Sequence, residues 1–259
     1  MQLATWNVNS LNVRLPHVLE WLRDNPIDVL CLQETKQEDS KFPYDDLKAA
    51  GYKAIHSGQK TYNGVAILSR HDMIDVEHGI AGFEDEQKRV ISATVNHNGN
   101  SLRVICVYIV NGQAVDSEKY DYKMRWLEAL ITWLGVELKK YPNLVLLGDY
   151  NIAPEDRDCH DPAAWIGQIL VSPREREMFE KLVKLGLHDS FRLFEQPEKS
   201  FSWWDYRMMG FRRNFGMRID HILVSDALKG KCESCVIDKA PRKLERPSDH
   251  TPVVLSLKT

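Results

Sequence analysis

NLVLLGDYN, residues 143–151, is an apolar run closed by a glycine and then by an acid and an amide two positions apart. Leu144 to Leu147 carry no polar side chain, which suits an interior strand buried on both faces. Residues two apart on an extended chain share a face, so Asp149 and Asn151 aim at one point. Two other stretches repeat the pattern. QLATWNVNS (2–10) runs into Asn7 and Asn9, and DVLCLQETK (28–36) runs into Glu34. PSDH (247–250) adds Asp249 and His250 ahead of a further apolar run. A carboxylate at the open end of an interior strand is either costly to bury or useful to a cation. Several such ends pooled on one rim make a hard-metal site facing a cleft.

The donor types decide which metal. No cysteines and histidines fall at zinc-finger spacing, and the candidate ligands are oxygens plus one histidine. Oxygen donors favour Mg²⁺, with Mn²⁺ as a substitute, over Zn²⁺. Phosphodiester hydrolysis needs such an ion, a nucleophilic water and neutralisation of the phosphate oxygens. Glu34 is the best single ligand, with Asn7 beside it as a neutral donor. Asp149 is placed to take a proton from water, and Asn151 to orient that water or the phosphate. His250 needs a carboxylate to hold its ring and keep it protonated, and Asp220 in MRIDHIL is the candidate. Tyr108, closing RVICVYIV, can donate its hydroxyl to the same phosphate.

The chain has 259 residues, enough for a substantial core, with 43% hydrophobic and 27% charged residues. These values are ordinary for a soluble globular protein. No apolar run nears the ~20 residues of a membrane span, and the amino terminus lacks the pattern of a secretory signal. Five cysteines, an odd number, suit reduced thiols in a cytoplasmic protein. Cys232-x-x-Cys235 lacks the strand–helix setting of a redox motif. A net charge of −3 argues against nucleic-acid binding by bulk charge. Arg207, Arg212, Arg213 and Arg218 nevertheless bunch together, as do Lys239, Arg242, Lys243 and Arg246, and either run can form a local track for phosphates.

Periodicity predicts strands near 2–7, 28–33, 52–57, 63–69, 90–97, 102–110, 144–148, 218–225 and 252–257. HNGN (97–100) marks a hairpin. Helices are predicted at 15–24, 43–50, 117–140 and 173–185, the last capped by Ser172-Pro173. With no linker or repeat, residues 1–259 read as one domain. Ten or so strands exceed one comfortable sheet, so the expected fold is α+β, a four-layer α/β sandwich of two stacked mixed sheets flanked by helices.

WNVNSL, CLQETK, GVAILSR, LGDYNIAPEDRD, SFSWWDYR, GMRIDHIL and RPSDHTPV resemble the exonuclease III family of abasic-site DNA endonucleases, in the family's order and over nearly the whole chain. The LQET, GDxN and SDH elements are shared with the wider superfamily of pancreatic-deoxyribonuclease-like phosphohydrolases, whereas FSWWDYR and GMRIDHIL are specific to the repair branch. The resemblance implies metal-site roles for Asn7, Glu34, Asp149, Asn151, Asp249 and His250. It implies catalytic roles for Tyr108, Asp149, Asn151, Asp220 and His250. It further implies an apolar pocket for a flipped, base-less sugar at Trp203, Met217 and Ile219, with Trp204 in the core. DNA contacts are implied at Arg207, Gln168 and Asn9, with Arg207 in the minor groove. The implied activity is Mg²⁺-dependent cleavage 5′ to abasic sites in duplex DNA, leaving a 3′-hydroxyl, with 3′-phosphodiesterase and weaker 3′→5′ exonuclease activity, in a monomer. Alternatives are a superfamily phosphohydrolase acting on RNA or on a lipid or inositol phosphate, and a catalytically silent RNA-binding regulator. One segment departs from the family. CHDPAAWIGQILVS (159–172) has Gln168 as its only side-chain amide where relatives carry asparagines, and Gly167 there leaves room for an opposed strand, favouring internal cleavage over 3′-end trimming.

Overall fold

The computed structural model describes residues 1–258. Among them the strands are β1 (Gln2–Asn7), β2 (Val29–Gln33), β3 (Lys53–Ser57), β4 (Val65–Ser69), β5 (Asp72–His78), β6 (Val90–His97) and β7 (Asn100–Tyr108). They continue with β8 (Leu144–Asp149), β9 (Leu187–Asp189), β10 (Trp203–Trp204), β11 (Gly216–Met217), β12 (Asp220–Ser225), β13 (Cys232–Ile237) and β14 (Val253–Leu257). The main helices are α1 (Leu11–Asp24), α2 (Tyr44–Ala49), α3 (Glu118–Lys140) and α4 (Pro173–Lys184). One sheet has the order β13-β14-β1-β2-β4-β3 and the other β5-β6-β7-β8-β12-β9, with β10 and β11 forming a separate ribbon. Each large sheet holds one parallel pair, β1 with β2 and β7 with β8. The crossovers that parallel pairing demands are α1 and α3, which cover the outer faces.

Alternation along the strands sorts the side chains into layers. Leu3, Val29, Cys31, Val104, Cys106, Val145, Leu147 and Ile222 meet between the sheets. Ala4, Trp6, Leu30 and Leu32 turn outward beneath α1 and α2. Ile105, Val107, Leu144 and Leu146 turn outward beneath α3 and α4. The result is the four-layer α/β sandwich.

The boundaries differ from the sequence reading at particular places. Helix α1 begins at Leu11, four residues before the expected start, and carries Pro16 inside it. A proline signals a first turn, but the chain is already helical when it arrives. Strands β5 and β13 were not foreseen. Both are edge strands, with register shifts and largely exposed or half-exposed side chains, so DMIDVEH and CESCVI show no buried alternation. The hairpin 97–100 forms with Asn98 and Gly99 both at positive φ, as a tight turn requires. Ser172 caps α4 in a reciprocal box with Glu175. Cys232 and Cys235 are free thiols on β13.

Candidate active site

The inter-sheet layer continues into the site. Counting in twos from buried positions, Leu3 leads to Asn7, Cys31 to Gln33, Cys106 to Tyr108, Leu147 to Asp149, and Ile222 back to Asp220. All five are therefore inner-face residues where strands reach one rim. A side chain on Gly148 would collide with the Val107 carbonyl, so glycine lets β8 lie tight against β7 just before Asp149.

Register then sets two acids against each other. Asp149 and Asp220 are directly opposed on antiparallel β8 and β12, a pairing that like charges disfavour. His250 resolves it. Its Nδ1–H donates to Asp220 Oδ2 at 2.9 Å and Oδ1 at 3.1 Å, and its Nε2 faces Asp149 Oδ2 at 3.7 Å. Burial opposes charge on this ring, but Asp220 and Asp149 override it and raise the His250 pKa to about 10. Ser202 Oγ donates to Asp220 Oδ2 at 2.7 Å, fixing the outer end of the array. Burial, then the neighbouring Asp220, push the Asp149 carboxyl up to about 7, against the pull of His250 and of bonds from Asn7 and the Asn151 amide.

Glu34 completes the cluster. Ligand atoms of Glu34, Asp149 and His250 lie within 4.8 Å of one another. Asn7 Nδ2 bridges the acids, donating to Glu34 Oε1 at 2.8 Å and Asp149 Oδ2 at 2.9 Å. Its oxygen meanwhile accepts the Asn9 N–H at 2.9 Å. In this arrangement Asn7 presents its nitrogen, not the oxygen expected of a metal donor, because two carboxylates require a donor between them. Lys36, absent from the sequence reading, sits 2.9 Å from Glu34 Oε2. Two carboxylates held by a donor and an ammonium form a pocket of negative charge that fits a hard divalent cation. His250 meets the distance, yet a ring protonated on both nitrogens has no lone pair to give a metal.

Asp249 does not join this group. Neighbours in an extended stretch point opposite ways, so while His250 faces inward, Asp249 faces the β1–α1 loop. There it accepts from Asn9 Nδ2 at 2.9 Å and Trp203 Nε1 at 3.0 Å. Asn151 lies beside Asp149 with its side chain fully engaged: Nδ2 donates to Ile109 O at 3.0 Å, and Oδ1 accepts from Asn111 Nδ2 at 3.0 Å. Tyr108 is paired with Asp149 in register. Burial, with Glu34 close by, pushes its phenol well above the usual range and keeps it protonated. Arg89 stacks over its ring at 4.6 Å.

Met217 and Ile219 are buried in an apolar cluster with Ala153, Cys159, Leu170 and Val171, against which Trp203 and Trp165 pack. Trp204 is fully buried and Trp203 half-buried. Trp165 is thus a wall of the apolar surface that the sequence reading did not assign. Gln168 and Gly167 are exposed beyond it. Gly167 has φ +78, which accounts for a glycine there without reference to a ligand. Arg207 is exposed but bonded back onto both oxygens of Asp205. The most exposed apolar side chains on that loop are Met208 at 74% and Met209 at 61%. On the other flank a polar groove is lined by Gln59, Asn63, Gln87, Arg89, Asn111 and Lys119. Asn111 and Arg89 lie in stretches that read as a turn and a strand start, so only tertiary structure reveals them.

A two-sheet sandwich whose inner faces end in such an acidic rim defines a metal-dependent phosphohydrolase. The family model described as Endonuclease/Exonuclease/phosphatase family matches residues 4–250. Exodeoxyribonuclease III of Haemophilus influenzae is 37% identical over 98% of each chain. Among solved structures, the 3′ phosphatase NExo from Neisseria, bound to a product DNA hairpin, superposes with TM-score 0.97 at 48% identity over 100% of both chains. An AP endonuclease from Archaeoglobus fulgidus superposes with TM-score 0.95 at 37% identity, also over 100% of both. The chain belongs to the Endonuclease/Exonuclease/phosphatase family, in its exonuclease III branch, and is a nuclease-type phosphodiesterase.

Proposed function

We propose that this chain, as one catalytic domain over residues 1–259, is a Mg²⁺-dependent abasic-site endonuclease that hydrolyses duplex DNA on the 5′ side of the lesion. The observation that carries this reading is the meeting of Glu34, Asp149 and His250 within 4.8 Å, beside an apolar wall. The product carries a 3′-hydroxyl, and 3′-phosphodiesterase and weaker 3′→5′ exonuclease activities use the same centre. Glu34 and Asp149 would hold the ion, with Asn7, whose side chain lies between the two acids, as a neutral group beside it. When bound, the ion neutralises phosphate charge and activates water.

The protein's own groups supply the rest. His250, held cationic between Asp220 and Asp149, donates Nε2–H to a non-bridging phosphate oxygen, and the protonated Tyr108 hydroxyl donates to the same group. Asp149 accepts a proton from the attacking water, its carboxylate lying at the rim beside Glu34 and His250. Asn151 keeps Asp149 oriented, its backbone N–H donating to Oδ1 at 2.9 Å. Asp249 takes a positioning role for Asn9 and Trp203. The surface of Trp203, Met217, Ile219 and Trp165 accepts bare deoxyribose, because a sugar without a base is cheap to extrude and small enough to fit. Arg207, Met208 and Met209 project toward the minor groove, where apolar wedges prop open bent DNA. Gln168 and Asn9 contact the backbone on either side of the rim.

No helix among the described residues is long and apolar enough to cross a membrane. The five free thiols fit a reducing, cytoplasmic setting. The fold calls for no second copy, so we assign a monomer.

A nicking assay on duplex DNA holding one tetrahydrofuran tests the reading. Cleavage 5′ to the analogue is expected with Mg²⁺ and none with chelator. Asp149→Ala should abolish nicking while DNA affinity holds, and excess Mg²⁺ should partly restore Glu34→Ala. Unimpaired nicking by Asp149→Ala contradicts the assignment. Faster trimming of an intact recessed 3′ end than nicking of the analogue would contradict the preference for internal cleavage.

A further inference from the structure

Lys123 lies on α3 at helical spacing from Leu127, Leu130 and Leu134, among the buried side chains of that helix. It is fully buried, and its ammonium serves three acceptors. Nζ donates to Asn151 O at 2.7 Å, to Asn111 O at 3.2 Å, and to the carboxylate of Glu175. Glu175 is equally buried in the first turn of α4. Its second oxygen accepts from the Ser172 N–H at 3.0 Å and from Ser172 Oγ at 2.6 Å. Tyr120, one turn before Lys123, closes the circuit with a 2.6 Å bond from its hydroxyl to Ser172 Oγ.

Both carbonyls that Lys123 holds belong to the amide pair at the rim, Asn111 and Asn151, whose side chains bond each other at 3.0 Å. Asn151 has φ 49, a left-handed conformation that asparagine tolerates better than most residues with a side chain. The ammonium bond to its carbonyl fixes where that peptide unit lies. A second buried ion pair, Arg103 on β7 with Glu137 on α3, provides the contrast. Arg103 bonds Glu137, Glu77, Ser92 and the Asp75 carbonyl, none of which belongs to the rim.

We propose that Lys123 is a positioning residue for the cleavage step, fixing the backbone at Asn111 and Asn151 so that the Asn151 amide is aligned beside Asp149. The inference rests on the reading of Asn151 as part of the hydrolytic machinery. Glu175 neutralises Lys123 and ties its position to the start of α4, so the ion pair between two helices is connected to the reacting centre through two carbonyl bonds.

The test replaces the pair without leaving a buried charge. A double variant, Lys123→Met with Glu175→Gln, keeps the side-chain volumes, and such swaps are often neutral for stability. Misalignment near the reacting atoms should lower kcat on the tetrahydrofuran duplex by ~10–100-fold. KM should stay within about twofold, because a loss confined to the transition state leaves ground-state binding alone. Glu137→Gln should leave kcat per folded molecule unchanged. In an Asn151→Ala background the double replacement should add little further loss, since residues acting through one another are not additive. A folded double variant with wild-type kcat, or one whose KM rises while kcat holds, overturns the inference. If that double variant does not fold, Lys123→Leu with Glu175→Gln, which likewise leaves no buried charge, is read against the same kcat criterion. Wild-type kcat in Asn151→Ala would instead remove the reading on which the inference rests.

Discussion

Strand β12 and the loops around it carry two buried histidines that have been driven in opposite directions. His250 lies between Asp220 and Asp149, and its pKa is raised to about 10. His221, one residue from Asp220, is lowered to about 4, first by burial and then by the neighbouring Arg218. Its Nδ1 accepts from Arg218 Nη1 at 3.0 Å, and its Nε2–H donates to Ile152 O at 2.9 Å. The same side chain is thus a fixed cation at the rim and a neutral brace behind it. The surrounding charge makes the difference. Arg218 and Arg192 satisfy Asp158, and Arg218 also reaches Asp189 at 2.8 Å. That cluster is complete in itself. At the rim, Glu34, Asp149 and Asp220 exceed the positive charge of His250 and Lys36, and the excess suits a cation and a reaction.

Substitutions should therefore damage different properties in the two regions. The largest effect is expected at the rim. His250→Ala removes the cationic donor and should lower the nicking rate per folded molecule by ~10²–10³-fold; it also leaves Asp149 and Asp220 opposed without their shared cation, so the thermal midpoint falls as well, as read by gel assay and calorimetry in parallel. A lower midpoint with the rate per folded molecule retained would make His250 a brace like His221.

Asp158→Asn should cost stability alone. Removing one partner of a buried ion cluster costs ~3–5 kcal/mol of stability, with activity per folded molecule retained. Burial alone would raise the Asp158 carboxyl, but Arg218 and Arg192 hold it below its usual range. Its stabilisation is therefore full above the unfolded value of about 3.9 and fades as pH falls through the lower folded value. The gap between wild type and Asp158→Asn in denaturant titrations should close only in acid. A gap that closes near neutrality contradicts the assignment.

The smallest effect sharpens the comparison. Asp220→Asn takes away one of the two carboxylates that keep His250 charged, so its pKa falls from about 10. Activity that depends on the imidazolium is present below that value and lost above it. The alkaline limb of the pH–rate profile should move toward neutral pH by about one unit or more, if a close carboxylate shifts a pKa by 1–3 units. An unmoved limb would mean that Asp220 does not set the charge on the ring.

The two regions also differed in how well the sequence announced them. The rim acids were legible because interior strands are long apolar runs, and a period of two carries Leu3 to Asn7 and Leu147 to Asp149. The layered fold followed from the same runs. Edge strands β5 and β13 escaped because an edge has no second neighbour to enforce burial. Asn111 and Trp165 escaped because their partners are remote in sequence and each reads as ordinary loop or turn chemistry, whereas Lys36 lies only two residues from Glu34 and escaped because a search for oxygen donors passes over a lysine. Lys123 had one visible sign, a lysine in phase with an apolar helical stripe, but the same spacing suits a side chain that reaches past the edge of the stripe to water. Asp249 drew its metal-site role from the resemblance, and its bonds to Asn9 and Trp203 were not legible because they depend on adjacent residues of an extended stretch facing opposite ways.

Soaking crystals with Mn²⁺ and locating it by anomalous scattering addresses the central claim most directly. The account predicts a peak at the rim coordinated by Glu34 and Asp149, with His250 still bonded to Asp220 and outside the coordination sphere. A peak bound through His250, or one confined to the exposed acids elsewhere on the surface, would contradict it.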